Sequence, residues 1–168
     1  QTYNRTAAEI SAGVTPTNYG YPPGNVLRYG ADATGSADAT TAFTNASLAN
    51  TTVTIPAGTF KLNNFRPQKS GQSFIGAGYG LTSIQQGATG NPAIYCLSDV
   101  STGQLVGMDF RGFKVLGAGS ATVAGFIVEA TTPYVVTGSN FDFQASGCYT
   151  SLKIVTTASH EVYNCTFK

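Results

Sequence analysis

The chain has 168 residues, of which 42% are hydrophobic and only 10% are charged, and its formal net charge is +1. This length supplies one sizeable core, and so little charge excludes a nucleic-acid surface built from basic side chains. No apolar run approaches the length of a membrane span, so we expect no membrane insertion. The apolar residues occur in short runs broken by Gly, Ser, Thr or Asn, which favours many short strands and tight turns.

Residues 1–24 form a lead-in segment. Thr6 and Glu9 have the Thr-x-x-Glu spacing of a capping box, and Gly13 suits the position after a helix end, which predicts a short helix over residues 6–12. The stretch "TPTNYGYPPG" that follows contains three prolines, which exclude a regular helix or a central strand. Its two tyrosines favour a segment that lies on the body of the protein over a flexible linker.

A second short helix is predicted within "NVLRYGADATGSADATTAF". Asp38 suits its N-cap, because a carboxylate there accepts a hydrogen bond from an unpaired N–H group, and the helix would run from about Ala39 to Ala49. We expect one face of this helix to cover an apolar surface. The residues of that face are Ala39, Ala42, Phe43, Ala46 and Ala49.

The sequence that follows, beginning with "TVTIPAGTFKL", has the pattern of strands and turns, and similar units recur. One apolar column is predicted through Met108, Val136 and Val162, and a second, five residues later in each unit, through Phe113, Phe141 and Phe167. Phe126 and Leu152 each lie fifteen residues before a column Phe, so the repeat is 28 and then 26 residues. A period in this range, with short strands and no helices, predicts a β-helix whose like residues stack in ladders.

The predicted fold is therefore all-β, a right-handed parallel β-helix with a short capping α-helix at its N-terminal end. The capping helix is expected to act as a lid, since the first rung of a β-helix would otherwise expose an open edge and an apolar end. Cys96, Cys148 and Cys165 fit no zinc motif, and buried free thiols are favoured over a disulfide. We expect no metal and no cofactor.

The segment "NVLRYGADATGSADATTAF", followed by "VTIPAGTFKL" and "SFIGAGYGLTSI", resembles the entry to the pectate-lyase-3 type of right-handed β-helix. The upstream "RTAAEISAGVTPTNYGYPPGNVLRYG" resembles the neck that precedes the β-helix in phage and prophage tailspike proteins. The resemblance covers roughly Arg5 to Ile84. The sequence departs from the family pattern at Ala39, where a second Asp is usual. It also stops after a few rungs, in the strand-like "EVYNCTFK". We expect more chain to follow.

This resemblance implies an elongated homotrimer on the virion tail, attached to the phage tail or baseplate through an N-terminal head. It implies that the β-helices recognise and depolymerise a bacterial surface polysaccharide, either capsule or O-antigen. In this organisation, residues 1–24 are the neck, and residues 25–168 are the cap and first rungs. Two alternatives remain, a non-catalytic trimeric structural or adhesive tail module and a secreted pectinase-like β-helix enzyme.

Polysaccharide cleavage requires two carboxylates for hydrolysis, or a base with a nearby cation for β-elimination. Asp109 and Arg111 are two residues apart, which on a strand places both side chains on one side, so "DFR" is a candidate catalytic or sugar-binding pair. A surface ion pair is the alternative. Glu161, beside His160, is a further catalytic candidate. The alternative is that these two residues lie in a solvated turn. The other acids and the tyrosines that could stack on sugars are Asp99, Glu129, Asp142, Tyr79, Tyr95, Tyr134 and Tyr149.

The motif "GAGYG", residues 76–80, has the wrong glycine spacing for a dinucleotide-binding loop, and no helix of suitable length follows it. Glycines that supply positive φ angles at a corner between strands are the favoured interpretation.

Overall fold

The computed structural model describes residues 1–99, 101, 103–118, 123–131, 134–148, 150, 152–156 and 162–168. Two α-helices, α1 (Ala7–Ser11) and α2 (Thr40–Ala49), and a 3₁₀ turn (Val26–Tyr29) lie in the first third of the chain. The strands are β1 (Thr34–Asp38), β2 (Thr52–Ile55), β3 (Gly58–Leu62), β4 (Ser73–Gly76), β5 (Thr82–Gln86), β6 (Ile94–Ser98), β7 (Leu105–Val106), β8 (Asp109–Leu116), β9 (Phe126–Ala130), β10 (Val136–Thr137), β11 (Asn140–Ser146), β12 (Leu152–Thr156), β13 (Val162–Tyr163) and β14 (Thr166–Phe167).

These strands form a parallel β-helix, as the repeat pattern predicted. Strands β1, β3, β5, β8, β11 and β14 pair in that order, and β2 and β4 join the same sheet through β8. Strands β6, β9 and β12 form a second sheet, and β7, β10 and β13 form a third. Every strand pair among the described residues is parallel, so the chain advances by one strand spacing, ~4.8 Å, with each rung.

Strand β8 divides the largest sheet into two faces. Residues 109–111 pair with β4, whereas residues 114–116 pair with β5, and Gly112 between them has a φ of +73°. We call the surface formed by β2, β4, the first halves of β8 and β11, and β14 the first face. The surface formed by β1, β3, β5 and the second halves of β8 and β11 is the second face. The β6, β9 and β12 sheet is the third face.

A ladder of phenylalanine rings fills the β-helix behind the first face. The ring centroids of Phe74 and Phe110 are 4.9 Å apart, those of Phe110 and Phe141 are 5.5 Å apart, and those of Phe141 and Phe167 are 5.1 Å apart. All three pairs are stacked within 9° of parallel. Phe126, on the third face, packs edge-on against this ladder at Phe110 and Phe141.

The register of the first predicted repeat was wrong by three residues. Val136 pairs with Leu105, not Met108, and Phe141 pairs with Phe110, not Phe113. The sequence cannot choose between these alignments, because Leu105 to Phe110 and Met108 to Phe113 are both apolar pairs with a five-residue spacing. The pairs Val136–Val162, Phe141–Phe167 and Phe126–Leu152 were predicted correctly.

Helix α2 lies across the end of the β-helix as the predicted lid. Its predicted apolar face is buried, and Phe43 packs edge-on against Phe60 and Phe65, with centroids 5.7 and 5.6 Å away. The predicted N-cap was misplaced by one residue, since Ala39 occupies that position and the helix begins at Thr40. The Asp38 carboxylate still accepts a hydrogen bond from the Thr40 N–H group at 2.8 Å, because it is anchored at the end of β1.

The predicted capping box at the start of α1 is present. Thr6 Oγ1 accepts from the Glu9 N–H group, and the Glu9 carboxylate accepts from the Thr6 N–H group. Gly13 follows the helix with a φ of +67°. The boundary at residue 24 stays a prediction. The cysteines are free thiols, with Cys96 buried and Cys148 and Cys165 partly buried. Within the described ranges, no helix is long and apolar enough to cross a membrane.

Candidate functional site

The outward side chains of the first face stand in two columns that cross the strands. Strand residues alternate between the two sides of a sheet, so the neighbours of the buried ladder phenylalanines point away from the core. The parallel register then places equivalent residues of successive rungs side by side. One column contains Thr54, Ile75, Arg111 and Asp142, and the other contains Ser73, Asp109, Asn140 and Thr166.

Asp109 and Arg111 form an ion pair on this face. Arg111 Nε donates to Asp109 Oδ2 at 3.1 Å, and Asn140 Nδ2 donates to Asp109 Oδ1 at 2.8 Å. The Arg111 side chain is 54% exposed and that of Asp109 is 26% exposed, so both are accessible to a ligand. The two-residue spacing predicted that they share one side of a strand, and the structure places them in contact.

Asp142 supplies a second carboxylate to the first face, in register with Arg111 on the next strand. Its Oδ1 atom accepts a short hydrogen bond from the hydroxyl of Tyr79, 63 positions earlier in the chain. This hydrogen bond raises the pKa of Tyr79 above its ordinary value, since ionisation would place a phenolate against a carboxylate. Tyr79 therefore keeps its proton at neutral pH and can donate it in a hydrogen bond.

The GAGYG corner positions Tyr79. Gly78 has a φ of +136°, and its N–H group donates to the Gly112 carbonyl oxygen at 2.8 Å. A Cβ atom on Gly76 would lie only 2.2 Å from that same oxygen, so the corner requires a residue without a side chain there. The predicted corner is present, with the positive φ at Gly78. The contact of Tyr79 with Asp142 was not predicted, because the two residues lie two strands apart.

A shallow groove of about 320 Å³ adjoins the charged residues. Ile75 lines this groove and is also in register with Arg111, so the groove and the charged columns form one continuous surface. A largely aliphatic wall beside a few convergent polar groups is typical of a binding site. The lining residues are Asn25, Thr54, Ile55, Pro56, Ile75, Gly76 and Ala77.

A separate polar cluster lies on the third face. The Tyr95 hydroxyl donates to Glu129 Oε2 at 2.6 Å, and the Arg66 guanidinium lies 4.9 Å from the centroid of the Tyr95 ring. Burial, together with the hydrogen bond to Glu129, raises the pKa of Tyr95 to about 12. Arg66 also pairs with Asp99 at 3.9 Å. The structure thus separates Glu129 and Asp99 from the first face.

Other predicted candidates, Glu161, His160 and Tyr149, lie outside the described residues. Asn140 was missed by the sequence analysis, although a signal was present. In four places a polar residue directly precedes a phenylalanine of the ladder, and these four polar residues form the second column. The dipeptides are Ser73-Phe74, Asp109-Phe110, Asn140-Phe141 and Thr166-Phe167.

Chemically, the first face offers two carboxylates and one guanidinium, and Tyr79 of the adjoining corner adds one protonated phenol. Asp109 and Asp142 can accept hydrogen bonds from sugar hydroxyl groups or a proton, Arg111 can bind an oxyanion, and Tyr79 can donate a hydrogen bond. Throughout the described part of the chain, no three His, Cys, Asp or Glu side chains are grouped as metal ligands would be.

The fold defines a parallel β-helix protein, and solved structures of the same class resemble it. The A-module of the mannuronan C-5 epimerase AlgE6 from Azotobacter vinelandii aligns with a TM-score of 0.53 and 16% sequence identity, over 84% of this chain and 42% of that chain. The AlgE4 A-module from the same organism aligns with a TM-score of 0.49 and 16% identity, over 79% of this chain and 41% of that one. This chain thus spans less than half the length of either module.

At this identity, the likeness shows the fold alone. No protein-family model matches the sequence, and no curated protein is significantly similar to it.

Proposed function

We propose that the first face binds a bacterial surface polysaccharide, either capsule or O-antigen. The observation that carries this proposal is the register that brings Asp109, Arg111, Asp142 and Tyr79 together beside an aliphatic groove. Sugar rings present apolar C–H faces and many hydroxyl groups, which match an aliphatic wall flanked by carboxylates and a guanidinium. The AlgE6 A-module, whose fold resembles that of this chain, is named as a mannuronan C-5 epimerase, which supports a polysaccharide ligand for this chain too.

We further propose that the whole protein depolymerises this polysaccharide and that the first face contributes to the reaction. Asp109 and Asp142 are the pair of carboxylates for hydrolysis. For β-elimination, one of them is the base, and Arg111 stabilises the negative charge that develops on the sugar. In either reaction Tyr79 is positioned to donate a hydrogen bond or a proton. Glu161 remains a proposed catalytic residue on sequence grounds.

The binding proposal is tested by measuring the affinity of the chain for immobilised capsule, O-antigen, mannuronan and pectin. R111M removes the guanidinium of the first face, and R66M makes the same chemical change on the third face. Losing a charge-assisted hydrogen bond costs ~1.5–3 kcal/mol, so we expect R111M to weaken binding by ~10- to 100-fold. R66M should bind as the wild type does. Equal affinities for R111M and the wild type would refute the proposed surface.

The reaction is tested on a polysaccharide that binds. Hydrolysis releases reducing ends without unsaturated sugars, whereas β-elimination releases both. We expect D142N and D109N to abolish release from the longer protein while R66M leaves it unchanged. Binding without any release of oligosaccharide would favour the alternative, a non-catalytic adhesive tail module.

We also propose that the protein is a homotrimeric phage tailspike, carried on the virion tail by an N-terminal head. The neck-like sequence over residues 5–30 and the lid that follows support this proposal. Light scattering on the chain in solution tests the trimer. A mass of three chains agrees with a tailspike, whereas a monomer that cleaves pectin would instead favour a secreted pectinase-like enzyme.

A further inference from the structure

Arg28 is a fully buried arginine near the N-terminal end of the molecule. Its Nε atom donates to Glu9 Oε1 at 2.7 Å, and its Nη2 atom donates to Glu9 Oε2 at 3.0 Å. The remaining donors reach three backbone carbonyls of the lead-in. These are Tyr21 at 2.9 Å and Tyr3 at 3.4 Å, both from Nη1, and Asn4 at 2.9 Å from Nη2. A single side chain thus binds four residues of the lead-in, at three places along it.

Glu9 is the buried partner of this arginine, with 0% exposure of either side chain. Besides Arg28, its carboxylate accepts from the Thr6 N–H group at 2.8 Å and from the Tyr29 hydroxyl at 2.8 Å. The capping-box residue therefore closes α1 and neutralises Arg28 at the same time. A buried ion pair with its hydrogen bonds satisfied tolerates the loss of one partner poorly, because the other charge stays buried and unpaired.

The hydrogen bonds continue from this pair into the lid. Asn50 Nδ2 donates to the Tyr29 hydroxyl oxygen at 2.8 Å and to the Ala46 carbonyl oxygen of α2 at 2.9 Å. The buried Gln72 then donates through Nε2 to the carbonyl oxygens of Asn50 at 2.8 Å and Ser47 at 2.7 Å. The two bonds from Gln72 give partners to carbonyl groups at the end of the helix and just beyond it, where the helix itself supplies none.

Gln72 carries the path onto the first face. It directly precedes β4, and its own carbonyl oxygen accepts from the Asp109 N–H group at 2.9 Å. A continuous series of hydrogen bonds therefore joins the lead-in to the strand that bears the Asp109–Arg111 pair.

We propose that this series, Arg28–Glu9–Tyr29–Asn50–Gln72, is a clasp that locks the lead-in, the lid and the start of the first face into one arrangement. Breaking the Glu9–Arg28 pair releases all three parts, not the lead-in alone. This inference does not depend on the ligand of the first face, and it holds whether or not that face binds a polysaccharide.

The clasp is tested by amide hydrogen exchange on the intact chain. The Asn50 N–H group, bonded to Ala46, reports on the lid, and the Asp109 N–H group reports on the first face. We expect R28M to accelerate exchange at both amides by at least ~100-fold, since breaking a buried pair costs several kcal/mol. R66M is the matched control, because it breaks an exposed pair, and it should leave both rates unchanged. Faster exchange confined to residues 1–24 in R28M would overturn the proposal.

A second variant, E9Q, keeps the test decisive if R28M does not fold. E9Q keeps the size of the Glu9 side chain and one acceptor oxygen for the Thr6 N–H group, but it removes the charge and the second acceptor, so it should accelerate exchange at Asn50 and Asp109. In E9Q/R28M no unpaired charge remains buried, and we expect exchange closer to the wild-type rates than in E9Q. E9Q with wild-type rates at both amides would overturn the clasp, as would a double variant that exchanges no more slowly than E9Q.

Discussion

At the scale of single residues, the phenylalanine ladder is the strongest constraint on the fold. Phe141 is 1% exposed and lies between two parallel rings, Phe110 and Phe167, while Phe126 meets it edge-on. Each such contact adds to the free energy gained by removing the ring from water. Because the rings stack only when the rungs are in register, the ladder stabilises the β-helix and selects its register together.

Replacing Phe141 by alanine should lower the free energy of unfolding by ~3–5 kcal/mol, since it deletes a buried ring between two others and leaves a cavity. Urea unfolding monitored by circular dichroism measures the loss. The same change at Phe167, which is 39% exposed, is the control and should cost clearly less. Equal losses in the two variants would contradict the ladder as described.

Contacts on the first face could be predicted from the sequence only between residues that are close together along the chain. The Asp109–Arg111 pair was predictable because two residues on one strand share a side by geometry alone. The Tyr79–Asp142 contact was not, because it depends on the number of residues between rungs. That number is 31 from Phe110 to Phe141 but 26 from Phe141 to Phe167, and hydrophobic periodicity does not determine it.

At the scale of elements, the corner after β4 shows how backbone geometry sets the site. Gly76 ends β4, and its backbone lies against the carbonyl group of Gly112 on the next rung. The close approach lets the chain turn sharply from the first face to the second. Tyr79 follows within this turn, so its position depends on Gly76 and Gly112.

Replacing Gly76 by alanine should destabilise the fold by ~1–3 kcal/mol or more, because the new Cβ would lie 2.2 Å from a backbone oxygen. Gly80 belongs to the same motif, yet a Cβ there would meet no atom within 4 Å. G80A is therefore the control and should unfold at nearly the wild-type denaturant concentration. Were G76A as stable as G80A, the close approach of the two rungs would be disproved.

Most features of the lid, in contrast, could be predicted from the sequence. Its helix, its apolar face and its contact with the core were all readable from spacing, because they are local properties of one amphipathic segment. Its start was misplaced by one residue because the Asp38 carboxylate binds the Thr40 N–H group from the end of a strand. What holds its far end, the buried Gln72, lies more than twenty residues downstream and carries no local signal.

At the scale of the whole molecule, the ionisation of two carboxylates makes the stability of the fold depend on pH. Burial alone would raise the pKa of Glu9, but hydrogen bonds from Arg28, Thr6 and Tyr29 outweigh it and lower that pKa to about 2. Hydrogen bonds from the Ala37 and Thr34 N–H groups lower the pKa of Asp32 to about 2 as well. Both groups ionise more readily when folded, so they stabilise the protein above their ordinary pKa values of 4.5 and 3.8.

We expect the melting temperature to fall as the pH is lowered from about 4.5 towards 2, where both carboxylates take up protons. The variants E9Q and D32N should each be less stable than the wild type at neutral pH and should lose less on acidification. Calorimetry across this range provides the measurement. A wild-type melting temperature that stays constant down to pH 2 would show that neither carboxylate is preferentially ionised in the folded protein.

The unequal rungs have a consequence for engineering. The step from β8 to β11 is five residues longer than the step from β11 to β14, yet the phenylalanines remain stacked across both. Four of the five additional residues are in the connection between β8 and β9, which is nine residues long, compared with five between β11 and β12, and the fifth lies within β8, which pairs with β11 across a register shift. The β-helix thus accommodates connections of different lengths at this edge, where a foreign peptide of similar size could be grafted for display without disturbing the stacked core.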